Sequence, residues 1–174
     1  MKEIDIRTLN LNPMTLIGED WLLITAGNQA RGFNTMTASW GQLGALWNRT
    51  GSDRPRPVAT IYVRPQRYTK EFLDRESRFT LSVLGAEYRK ALGYLGTHSG
   101  RDGDKIAAAG LTPVFDGDVT CFAQARLVLV CQKLYHAPLL PSGFESGEIP
   151  AQNYPKKDFH EMYIGEILRA LIAE

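Results

Sequence analysis

Strand-like stretches separated by connections too short for long helices constrain this chain more than anything else in it. Trp21–Ala26, Phe33–Trp40, Pro57–Val63, Arg78–Leu84, Val119–Tyr135 and Met162–Ile172 combine β-branched, aromatic and aliphatic residues, several with period-two alternation. Val119–Tyr135 is too long for one straight strand and must bend or bulge. Helices are brief wherever they are expected: a turn through Met14–Ile17 with Asn12 as N-cap, Pro13 at its first position and Gly18 as stop, a start at Tyr68–Leu73, and an amphipathic stretch at Glu87–Leu95. About six or seven strands joined in this way favour a mainly β protein, an antiparallel barrel with short connecting helices. A doubly wound parallel sheet would need longer helices in regular alternation.

A chain of 174 residues supports one domain with a sizeable core, so residues 1–174 are expected to fold as a single unit. Twenty Lys+Arg stand against 19 Asp+Glu with no block of like charge. That balance argues against a nucleic-acid surface and against a polybasic membrane anchor. Trp21–Ala26 and Leu127–Cys131 are apolar but far too short to span a bilayer, and the first residues lack the apolar run of a signal peptide. The expectation is a cytoplasmic protein with no membrane segment. Cys121 and Cys131 lie in apolar strand sequence with no second ligand at metal spacing, and read as reduced core thiols.

The densest concentration of interest is Gly32–Trp47. If Phe33–Trp40 is extended, Thr35, Thr37 and Ser39 form a row of hydroxyls on one face, and Asn34, Met36, Ala38 and Trp40 point the other way. Such a strand offers hydrogen bonds to a flat polar ligand on one side and packs a core on the other. An edge strand with its hydroxyls in water has the same pattern. Downstream, Tyr68–Leu73 reads as a helix start with Thr69 as N-cap, and Arg64 and Arg67 lie close by. Free N–H groups and two guanidinium groups make that turn suited to an anion, although an ordinary capped helix with solvated arginines reads the same way. Gly96–Lys105 is a polar, glycine-rich loop leading into a helix at Lys105 with Asp102 or Asp104 as cap and Gly110 as stop. Its glycine spacing matches neither nucleotide-binding fingerprint, which leaves an anion-accepting loop with Lys105 as the charge. Asn48–Pro57 is expected to be an exposed loop, and Leu139–Pro155, with its prolines, irregular.

Asn34–Gly41, Val63–Thr69, Gly96–Lys105, Ala125–Cys131 and His160–Glu166, taken in order, resemble the flavin reductase-like family with the FMN-binding split-barrel fold, most closely its flavoredoxin branch. The resemblance implies a homodimer of split barrels that holds FMN non-covalently near the subunit interface. It implies that Asn34, Thr35, Met36, Thr37, Ser39 and Trp40 line the flavin and its ribityl chain, with Arg67, Thr69, Ser99 and Lys105 on the phosphate side. His160 would approach the flavin from the late loop, from either subunit. It is as readily a packed loop residue. Two departures from the family pattern stand out: Asn48–Pro57 is longer by several residues, and Gly103 replaces an apolar residue. The function implied is NAD(P)H:flavin oxidoreductase, with NADH or NADPH as hydride donor. The alternative is a flavoredoxin-type carrier whose FMN exchanges electrons with a redox protein partner. Because the cofactor carries the chemistry, no acid or base in the sequence decides between them.

Overall fold

The computed structural model describes residues 1–174. Along the chain lie β1 (Lys2–Ile4), α1 (Pro13–Gly18), β2 (Leu22–Asn28), β3 (Gly32–Ala38), β4 (Gly41–Asn48) and β5 (Pro55–Val63). After these come α2 (Tyr68–Arg75), β6 (Arg78–Leu84), α3 (Arg89–Thr97), α4 (Lys105–Ala108), β7 (Pro113–Asp116) and β8 (Val119–Phe122). The chain ends with β9 (Ala125–Pro138), α5 (Glu148–Asn153) and β10 (Glu161–Ile172). The main sheet has the order β3-β2-β6-β9-β10-β5-β4, with β1 on β10, and β7-β8 forms a separate hairpin. All of its ladders are antiparallel.

The two ends of that order, β3 and β4, are joined by Ser39 and Trp40 alone. The sheet therefore curls until its ends meet along the chain, yet no ladder joins them. This is a split β-barrel, and the split lies inside the stretch that concentrated sequence interest. Alternation along the central strands explains how the barrel is filled. Phe79, Leu81 and Val83 of β6 and Leu127, Leu129 and Cys131 of β9 face the interior with Ile24, Ile61 and Tyr163. The intervening Val128 and Val130 face outward into a second cluster with Leu92, Leu95 and Phe122, beneath α3 and β8. Each such side chain contributes on the order of 1.5–3 kcal/mol through burial, so both faces of the middle strands hold the fold together.

Several local expectations hold. The Asn12 side chain accepts from Met14 N–H at the start of α1, and Asp104 caps α4 by accepting from Ile106 and Ala107. Val119–Tyr135 breaks at Ala123–Gln124 into β8 and β9. Others do not hold. Gly41–Asn48 is a strand that pairs with β5 from Pro55 on, so the loop between them is shorter than the expected Asn48–Pro57. The β4–β5 hairpin is tied down by Arg49 in the loop and Arg56 in β5, both of which donate to Glu166 of β10. The Leu139–Pro155 segment contains α5, with Pro150 in the first turn, where no intrahelical N–H is needed. Both cysteines are free and buried, as expected. No helix is long and apolar enough to cross a membrane.

Candidate functional site

The open seam of the barrel forms a cleft of about 220 Å³. One wall is the chain from Met36 through Trp40, where β3 ends and the backbone turns toward β4. The opposite wall is Tyr62 and Arg64 from the end of β5, Arg67 at the N-cap of α2, and His160 just before β10. Trp40 is 45% exposed, whereas His160, 5.1 Å from it between ring centroids, is 8% exposed. A second cavity of about 410 Å³ is lined by Asn34, Gly100 and Lys105 among others.

The Asn34 amide nitrogen donates to the Thr69 hydroxyl at 2.8 Å, joining β3 to the first turn of α2. A β-carbon on Gly100 would lie 2.3 Å from Asn34 Oδ1, so only glycine lets this loop pass so close. Gly103 has φ of 151°, outside the range comfortable for a side chain.

The charges are unevenly compensated. Arg64 donates to Asp158 Oδ2 at 2.5 Å and to the Asn153 carbonyl at 2.8 Å. Gln66 and Arg64 together hold the Asp158 carboxyl down at about 2. Arg67 donates to the Gly96 carbonyl at 2.8 Å. Lys105, 6% exposed, donates to the carbonyls of Leu95 and His98 at 3.4 and 3.1 Å. All three acceptors are at the C-terminal end of α3, where the helix dipole favours cations. No carboxylate pairs with Arg67 or Lys105. Burial, and then the neighbouring Arg67, push the Lys105 ammonium down to about 8. Burial, Arg64 and Arg67 likewise lower the His160 imidazole to about 4, so the ring is neutral at physiological pH.

Met36, Thr37, Ser39, Trp40, Arg67 and His160 thus meet at one cleft, and Asn34 and Lys105 at the second cavity. Three expectations need correction. Thr35 is fully buried, and its hydroxyl pairs with Thr25 Oγ1 at 2.8 Å and donates to the Ile24 carbonyl, so its side chain faces no ligand space. Thr37 Oγ1 donates to the Leu92 carbonyl at 2.6 Å, and β3 ends before Ser39, so the hydroxyl row does not form a free platform. Thr69 is not the N-cap of α2, because Arg67 holds that position and Thr69 Oγ1 serves Asn34. Ser99 lies in the loop before α4, where its hydroxyl accepts from Arg101 N–H at 3.2 Å. Tyr62, Tyr154 and Asp158 join the site from chain positions with no motif of their own.

A split barrel of this strand order, with a cleft at its open seam, has known relatives. The sequence model of the flavin reductase like domain matches residues 14–174, so the chain belongs to the flavin reductase-like family. No curated protein matches the sequence. Among solved structures, flavoredoxin from Methanosarcina acetivorans is 19% identical with a TM-score of 0.66, over 100% of this chain and 77% of that one. An FMN-binding domain of a flavin reductase-like enzyme from Shewanella baltica is 15% identical with a TM-score of 0.64, over 97% of this chain and 75% of that one. Nitrilotriacetate monooxygenase component B from Bacillus cereus is 17% identical with a TM-score of 0.64, over 100% of this chain and 82% of that one.

Proposed function

We propose that the seam binds one FMN per subunit and that the protein is an NAD(P)H-dependent flavin oxidoreductase. The observation that carries this reading is the pair Arg67 and Lys105, two neighbouring cations that only carbonyls satisfy. A buried ammonium without a counter-ion is unfavourable unless a ligand supplies the charge, and a phosphate monoester does so. The donor set fits the group. Arg67 and Lys105, with Thr69 and Ser99 in the adjoining turns, would hold the phosphate side, and Asn34 with the Met36–Trp40 wall would hold the ribityl chain and ring. When bound, FMN accepts a hydride and releases electrons singly or in pairs. Trp40 and Tyr62 offer flat apolar surface, and the buried face of the cleft excludes water.

A cleft of about 220 Å³ is smaller than most sites for a ligand of this size. A second copy of the chain completing it as a twofold homodimer is part of the proposal. Anaerobic stopped-flow mixing of the FMN-loaded protein with NADH and with NADPH tests the activity. Rapid bleaching of the flavin band with either nucleotide is the expected result. Stable FMN binding without bleaching would instead favour a carrier served by a redox protein partner.

A further inference from the structure

Tyr154 and His160 are joined by a hydrogen bond of 2.9 Å between the phenol oxygen and Nδ1, and both residues are buried. The Tyr154 ring has little freedom. Phe159 stacks on it at 4.7 Å, Phe144 lies at 5.9 Å, and the Arg64 guanidinium sits 5.2 Å from its centroid. A cation over a phenol face draws electron density from the oxygen and makes its hydrogen the better donor. Nδ1 is the one protein acceptor within hydrogen-bond reach of that hydroxyl. The other ring nitrogen, Nε2, has no protein partner, and the ring lines the cleft.

We propose that Tyr154 is a positioning residue that donates to Nδ1 of His160, holds the ring in its Nε2–H tautomer and so presents one fixed N–H donor to the cleft. The groups around His160 are Tyr62 and Arg64 from the end of β5, Arg67 from the cap of α2, Trp40 from the β3–β4 corner, and Asp158 from its own segment. Asp158 is the single acid among them, and Gln66 and Arg64 engage its Oδ2. The cleft then offers donors from every side and selects the acceptor edge of a flat heterocycle, rejecting a ligand that brings an N–H to the same place. Electron density arriving on that edge is stabilised by a donor already in position. The use made of this donor rests on the flavin reading, but the tautomer is tested without flavin.

Protein carrying ¹⁵N-histidine, free of FMN, is examined by long-range ¹H–¹⁵N correlation at neutral pH. With three histidines in the chain, His160 is assigned by the resonances lost in His160→Gln. The expected result is an excess of about tenfold or more of the Nε2–H form, as one hydrogen bond of ordinary net strength gives. In Tyr154→Phe that excess should fall several-fold, toward the modest Nε2–H preference of a free neutral imidazole side chain, and bound FMN should show a more negative reduction potential. A wild-type ring found mainly as Nδ1–H overturns the proposal. So does a Tyr154→Phe ring that keeps the wild-type ratio of tautomers. The wild-type spectrum decides even if the variant folds poorly, and absence of FMN binding would refute the flavin reading while leaving the tautomer result intact.

Discussion

Glu166 and Lys105 are equally buried, each 6% exposed, yet the protein treats their charges in opposite ways. Glu166, on β10, accepts from Arg49 at 2.6 Å and from Arg56 at 3.1 Å, so a buried anion is matched within the chain by two cations. Lys105 has carbonyls only, and its nearest influential charge is another cation, Arg67. The first arrangement fixes the β4–β5 hairpin to the barrel. The second leaves an ammonium with neutral acceptors only, which on the proposed reading the phosphate of a ligand completes. Burial alone therefore does not distinguish a structural ion from a binding one, and the identity of the partners does.

The contrast is most sharply broken at Glu166. Glu166→Ala strands two guanidinium groups and is expected to destabilise the FMN-free protein by about 3 kcal/mol, the lower end for a broken buried pair, because Arg49 is half exposed and can turn to water. Urea unfolding measures it, and a loss below about 1 kcal/mol would show that the clamp is ornamental. Lys105→Met should behave in the opposite sense, leaving FMN-free stability within about 1 kcal/mol of wild type while weakening FMN binding on the order of 10- to 100-fold. Its effect on riboflavin should be slight and the salt dependence of FMN binding should flatten. If riboflavin affinity falls equally, Lys105 is no phosphate partner.

A further effect follows from pH. Since the folded ammonium titrates near 8 and the unfolded one near 10.5, the unfolded chain binds the extra proton between these values. Stability of the FMN-free protein should therefore rise with pH across that window, and FMN affinity should fall as pH passes 8. Both trends should vanish in Lys105→Met. Smallest is Asn34→Ala, which removes one neutral hydrogen bond to Thr69. It is expected to cost about 1 kcal/mol and to shift the bound flavin spectrum without altering the salt dependence.

Much of this was readable in the chain. The Asn12 cap, the narrowing of the α4 cap to Asp102 or Asp104 and the strand alternation depend on neighbours in sequence, and each was legible for that reason. β4 was not. Gly41 and Gly44 interrupt its apolar pattern and its outer side is exposed, so nothing local announces a strand that exists because β5 pairs with it. The same limit applies to the site. Arg67, Lys105 and the β3 end could be named from motifs, but the direction of the Thr35 hydroxyl depends on Thr25 across the sheet. Arg64 was legible as a cation near the helix start, whereas its engagement by Asp158, more than ninety positions along the chain, was not.

The missing ladder at the seam leaves β3 and β4 with different fates. The free side of β3 lies under α3, but β4 pairs with β5 alone and carries exposed residues along most of its length. An uncovered row of backbone donors and acceptors is a template on which another chain can grow. The row is short, because Trp47 takes φ of 50° and the register slips between Leu46 and Asn48, twisting the strand out of line. What remains from Gly41 to Leu46 is long enough for a single neighbouring strand to pair with, and the twist beyond it works against continued stacking.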